Sequence, residues 1–468
     1  MHISSLSSLT PKINKTLFFL TFLASFFIFA NSTYAAGEAW YDSSWSNRVQ
    51  IAIDADNIDG TLVDFPVYVD LSDLPSGFHN TVRTSGCDIR MTQADGQTEV
   101  PFELVAQDGA NNSGELFFLA SNVSGINDTD FYLYFGNASS SCYVADEVYG
   151  SQAVWSQYSY VSHDGGATDS TEFGSNGIAV GGISSGDAGV MGIGTSFDGV
   201  DDEWDLPAST ETFPVGDIDR TYQFWTKFNS TNSKPVLLEY GGASSGQLVR
   251  LELSEGSMVW RPYTYTDIES DPVYTMGDFQ LVTVTYNSLS KEVSFYRNGA
   301  DVGGGVFDGK LYATVGKYYS QQLGARVVGT NRLDGLLDEV RFKKNITSAD
   351  QILAEFVNQN SASTFYTVGV VVGTGTATTS NFVSLADDVI DEIENSIEYL
   401  SVLPVYEDLM AKITKTYGKG RLVKSDRKLA KFKTFVTDGL GKILFSNSER
   451  QEIKSIIKDM QDILLDEG

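Results

Sequence analysis

Tyr222-Gln-Phe-Trp-Thr-Lys-Phe228, Val236-Leu-Leu-Glu-Tyr240, Leu248-Val-Arg-Leu-Glu-Leu253 and Leu281-Val-Thr-Val-Thr-Tyr286 decide the fold class of this 468-residue chain. Each is a short run rich in the β-branched and aromatic residues that suit a pleated, half-buried surface. Gly-rich segments such as Gly181-Gly-Ile-Ser-Ser-Gly186 punctuate the same region. Upstream, Val49-Gln-Ile-Ala-Ile53 and Phe65-Pro-Val-Tyr-Val69 alternate around an Asn57-Ile-Asp-Gly60 turn. Phe117-Phe-Leu119 and Phe131-Tyr-Leu-Tyr-Phe135 continue the pattern. Short strands at this spacing predict sandwiches.

The expected fold is mainly β: two consecutive antiparallel β-sandwiches, residues 36–150 and 151–372, plus an α-helical C-terminal region. Val368-Gly-Val-Val-Val-Gly373 reads as the final strand of the second. A small-residue linker follows at 373–383. Helical spacing then sets in across 384–468, with Ala386, Val389, Ile393, Ile397 and Leu400 ahead of Pro404. Such a stripe must be buried, in a self-contained bundle or against another protein.

Residues 1–35 are set apart. Lys12 and Lys15 precede an apolar run, Leu17 to Ala30, and then Thr33-Tyr-Ala35, the layout of a cleaved export signal. An uncleaved anchor is the alternative, against which stands a run shorter than the ~20 residues a span needs. The expected location is periplasmic, cell-surface or secreted. Loss of the two leader lysines takes the formal charge from −29 to −31, which repels nucleic acid and attracts cations. Cys87 and Cys142 are the only cysteines. In an exported chain they read as a disulfide, with two buried thiols as the other reading.

Three phrases, Asp64-Phe-Pro-Val-Tyr-Val-Asp-Leu71, Cys87-Asp-Ile-Arg-Met-Thr-Gln-Ala-Asp-Gly96 and Phe131-Tyr-Leu-Tyr-Phe-Gly-Asn137, resemble an uncharacterised bacterial surface domain. That family is found before concanavalin A-like modules and fused to MotA/TolQ/ExbB-type proton-channel proteins. Phe197-Asp-Gly-Val-Asp-Asp202, Val293-Ser-Phe-Tyr-Arg-Asn-Gly299 and Leu333-Asp-Gly-Leu-Leu-Asp-Glu-Val-Arg-Phe342 resemble a laminin G-like, concanavalin A-like module. The resemblance implies a jelly roll at 151–372 and a structural calcium ion. Asp338 matches the closing-strand ligand, with Asp164 or Asp169 from an early loop; a surface acid and a turn-forming Asp are the plain alternative.

Catalytic groups are scarce. There are three histidines, His2, His79 and His163, too few for a multi-His metal site. Glu203-Trp-Asp205-Leu-Pro-Ala208 lacks the second Glu of a laminarinase-type Glu-x-Asp-x-x-Glu strand, so the chain reads as a non-enzyme, a polysaccharide-active enzyme being the alternative. Trp260, Arg261 and Tyr263 are the candidate ligand-binding residues, with core packing as the other reading of Trp260. Tyr318-Tyr319 is a second aromatic candidate. The expected partner is a glycan or surface protein, and an envelope protein is a further possibility through residues 384–468.

Overall fold

The computed structural model describes residues 40–373 except 231–233, 313–320, 327 and 370. The segments expected to be an export signal (1–35) and a helical tail (384–468), and Tyr318-Tyr319, lie outside the described residues. The chain is mainly β, as its strand runs predict, and every named strand pair is antiparallel.

The first sandwich pairs two sheets. One orders Tyr366–Val368, Asn47–Ile53, Thr129–Phe135, Arg90–Gln93 and Glu99–Val100, with Val372–Gly373 also on Asn47–Ile53; the other orders Thr61–Asp70, Ser113–Ser124 and Phe102–Asp108. Alternation explains the core: Phe65, Val67 and Val69 point in with Val49, Ile51, Leu133 and Phe118, all fully buried. Cys87 and Cys142 are disulfide-bonded, which selects between the two sequence readings. The strand predicted to end the second sandwich belongs here instead: Ile51 pairs with Val368 and Arg48 with Val372. Hydrophobicity marks that segment as a strand, but only the return path of the chain chooses its sheet.

The second sandwich has an eight-stranded and a seven-stranded sheet. Asp334–Lys343 and Arg220–Phe228 lie in the middle of the first; Leu248–Ser254, Val236–Gly241 and Gln321–Leu323 in the middle of the second. Leu238, Tyr240, Leu251, Trp260, Phe224, Leu337, Val340 and Phe342 fill the space between them.

The outer face of the eight-stranded sheet is turned to the first sandwich. Helix Ala349–Asn360, capped by the Ser348 hydroxyl, sits there, with Gln359 Oε1 accepting from Trp225 Nε1 at 2.7 Å and Glu355 Oε2 accepting from Gln223 Nε2 at 2.8 Å. A bulge in Asp334–Lys343 contributes. Two residues, Glu339 and Val340, stand opposite Phe224 alone, and Glu339 has φ of +47°. Strict alternation would send Asp338 and Glu339 to opposite faces. The extra residue sends both away from the core that holds Leu337, Val340 and Phe342.

Candidate ligand-binding face

With one sheet occupied by the first sandwich, the outer face of the seven-stranded sheet is the second module's other large surface. Register builds a polar row across it. Asp205 pairs with Gln322, Gln322 with Glu239, Glu239 with Arg250, and Arg250 with Arg261, so five strands each place one polar side chain in line. Their sequence neighbours Trp204, Leu323, Tyr240, Leu251 and Trp260 point into the core.

The row is ion-paired. Arg250 Nε donates to Glu239 and its Nη1 to Glu252 Oε2 at 3.3 Å. Arg261 Nε donates to Glu252 Oε1 at 2.5 Å and its Nη1 to Asp267. At the other end Arg332 Nη1 donates to Glu203 Oε2 at 2.9 Å, and Arg326 lies beside Glu239. Burial pushes the Glu203 carboxyl above its ordinary value, against the pull of Arg332. Burial likewise raises Asp267 despite Arg261.

Gln322 is the key to the middle of the row. Its Nε2 donates to Glu203 Oε1 at 3.0 Å and to Asp205 Oδ1 at 2.9 Å. The reverse amide orientation would aim a carbonyl at two carboxylates, so the network fixes the flip. Oε1 is consequently a buried acceptor with no hydrogen-bond partner among the described residues. Such a group costs about 1–3 kcal/mol until a donor reaches it.

Accessibility rises toward one end: the Glu239 side chain is 3% exposed, Arg261 23% and Asp267 34%. Next to that end stand two exposed rings, Tyr263 and Tyr312. Gly246 joins them, donating to the Tyr263 carbonyl at 3.1 Å and accepting from Tyr312 N–H at 2.5 Å. Its φ of +67°, and a Lys310 oxygen 2.2 Å from where a Cβ would stand, require glycine there.

The sequence candidates are divided by the structure. Arg261 is in the row and Tyr263 at its open end, whereas Trp260 is 1% exposed within the sandwich core, packed on Tyr286 and Phe307. Trp260 is therefore corrected to a core residue, because alternation turns it opposite to Arg261. Gln322, Glu239 and Tyr312 carried no signal in the sequence, since only register and loop packing place them.

The expected calcium ligands, Asp338 with Asp164 or Asp169, each accept hydrogen bonds from neighbouring groups. Asp164 Oδ1 accepts from Ser162 Oγ and from the N–H groups of Ala167 and Thr168. Asp169 accepts from the N–H groups of Val161, Thr171 and Ser175. Asp338 is fully buried and its Oδ2 accepts from Val190 and Met191 N–H, at the turn of the Ser185–Ala188/Ile193–Asp198 hairpin. Burial, then Glu339, push its carboxyl well above the usual range. Among the described residues, the trio with carboxylate oxygens within 4.8 Å of one another is Asp198, Asp201 and Asp202, inside the Phe197–Asp202 phrase.

Residues 197–353 match the family model of the concanavalin A-like lectin/glucanases superfamily. No curated protein sequence matches the chain significantly. Among solved structures, domain 4 of a GH43 extracellular arabinanase from Geobacillus stearothermophilus, in complex with arabinotriose, is similar at 15% identity and TM-score 0.35, over 42% of this chain and 97% of that one. The Ruminococcus gnavus IT-sialidase CBM40, bound to α2,3 sialyllactose, is similar at 14% identity and TM-score 0.26, over 30% and 82%. The binding domain of Paraclostridial Mosquitocidal Protein 1 is similar at 14% identity and TM-score 0.35, over 43% of this chain and 52% of that one.

Proposed function

We propose that this chain is an exported, non-catalytic glycan-binding protein whose concanavalin A-like module binds through the outer face of its seven-stranded sheet. The observation that carries this is the five-strand polar row from Asp205 to Arg261, ending beside the exposed rings of Tyr263 and Tyr312. Fixed hydrogen-bonding groups in line suit successive sugar hydroxyls, and an aromatic ring gives a sugar face an apolar surface. The first sandwich then acts as a mount, because it occupies the opposite sheet. Calcium enters this reading as a loop-stabilising ion, and the Asp198–Asp202 turn is the place to look for it.

The test is a glycan array probed with the full chain, with millimolar calcium and again with chelator. Binding to at least one oligosaccharide is expected, and Arg261→Ala should weaken it about tenfold or more without changing the folded spectrum. Silence on the array in both conditions would overturn the reading. Turnover of any polysaccharide would overturn its non-catalytic part.

A further inference from the structure

The chemistry of the row says what kind of glycan it takes, an inference that rests on the glycan-binding reading above. We infer that the face selects uncharged, hydroxyl-rich glycans and rejects uronate- or sialate-bearing ones, with Gln322 Oε1 receiving a ligand hydroxyl.

Two independent observations lead there. The first is the supply of hydrogen-bond partners. An acidic sugar needs a guanidinium or ammonium to neutralise it, usually by a bidentate fork. Each arginine of the row already faces a carboxylate: Arg250 faces Glu239 and Glu252, Arg261 faces Glu252 and Asp267, and Arg332 faces Glu203. Arg326 stands 3.8 Å from Glu239. Among the described residues, five carboxylates, counting Asp205, face these four guanidiniums, one negative charge in excess. A carboxylate ligand would have to displace an internal ion pair and meet the acid it released. The chain's formal charge of −29 adds long-range repulsion of the same sign.

The second is the orphan acceptor. Gln322 spends both amide protons on Glu203 and Asp205, and its carbonyl oxygen is buried without a donor among the described residues. A sugar hydroxyl supplies that donor, and a carboxylate group in the same place cannot. This observation assigns the contact, and the ion-paired arginines carry the rejection of acids. The row is thus rich in acceptors, and its arginines are already committed to carboxylates. Sugar hydroxyls, which donate as well as accept, match it.

The experiment uses the full chain against three sets of oligosaccharides, neutral, uronate-containing and sialylated, at low and high sodium chloride. Neutral oligosaccharides should bind, with affinity changing less than about twofold between the two salts. Gln322→Met, similar in length and without the acceptor, should lose tenfold or more, its thermal unfolding serving as the folding check. Tighter binding of either acidic set, weakened by salt, would overturn the inference and leave the glycan reading standing. Failure of every set would overturn both. A folded Gln322→Met variant with unchanged neutral affinity would remove Gln322 from the contact.

Discussion

The side chain of Asn358 brackets the backbone of Tyr68: its Oδ1 accepts from the Tyr68 N–H at 2.7 Å and its Nδ2 donates to the Tyr68 carbonyl at 2.9 Å. Tyr68 lies in Thr61–Asp70, an edge strand of the three-stranded sheet, paired on its other side with Phe117. One amide from the helix that follows the second sandwich thus stands in for a missing strand of the first. It covers an edge that would otherwise offer unpaired groups.

Asn358→Ala should therefore be costly for a single surface-distant amide. It leaves a buried N–H and a buried C=O unpaired, at about 1–3 kcal/mol each. Urea unfolding should show a lower midpoint. Because the helix also bonds Trp225 and Gln223, both sandwiches should unfold in one transition. Two resolved transitions in the native protein would contradict this coupling.

Stability should fall as pH rises. His163 is held between Glu339, Nδ1 to Oε1 at 2.6 Å, and Glu103, Nε2 to Oε2 at 3.3 Å. Burial opposes its charge, but the two carboxylates outweigh burial and raise its pKa to about 10. A folded value above the unfolded ~6.5 stabilises fully below that pH and is lost as pH rises toward 10. Glu115 is pushed up to about 7, mainly by burial and then by Glu339, so its contribution is complete below ~4.3 and lost through neutrality. Glu339, held low by His163 and Arg341 in spite of burial, acts in the opposite sense at the acid end. The urea midpoint should decline from pH 6 to pH 10, and Glu115→Gln should flatten the part near neutrality. A midpoint that climbs over that range would refute the assignment.

Reducing the disulfide should be expensive. Cys87 and Cys142 are 55 residues apart in sequence, and closing such a loop contributes about 4 kcal/mol in the chain-entropy model. A paired Cys87→Ser, Cys142→Ser variant should unfold at a clearly lower temperature. An unchanged midpoint would show that the bridge adds nothing to the packed sheets.

Trp260 and Tyr312 separate stability from recognition. Trp260→Ala removes a fully packed ring and should cost about 3–5 kcal/mol. Tyr312→Ala removes an exposed ring and should leave the unfolding midpoint within ~0.5 kcal/mol while weakening glycan binding. Equal effects of the two on unfolding would contradict the placement of the rings.

Calcium should act through the Asp198–Asp202 turn. At free calcium 100 times the dissociation constant the gain is about 2.7 kcal/mol, visible as a higher melting temperature than in chelator. Asp202→Asn should shrink that difference. Identical melting in the two conditions would end the calcium proposal.

Much of the fold is legible in the residues themselves. Alternation around Val49–Ile53 and Phe65–Val69 marks strands and their buried sides because side-chain direction in an extended chain has a period of two. The cysteine pair could be recognised because a chain with two thiols has one way to pair them. Composition singles out Arg261 and Tyr263 together with Trp260, because it does not say which way a ring turns, and the structure puts only Trp260 in the core.

Tertiary structure decided what no local pattern encodes. An extra residue at Glu339 breaks the alternation and turns Glu339 to the same side as Asp338, whose Oδ2 accepts from the Val190 and Met191 N–H groups of a hairpin turn. The row Asp205–Gln322–Glu239–Arg250–Arg261 joins positions spread over dozens of residues, in line only because antiparallel register puts them there. Sequence sets which residues prefer a strand and which side each shows, through local sterics and hydrophobicity. The partner of each strand, and the sheet face on which the row lies, follow from burying both sandwiches together, a cost and gain summed over the whole chain.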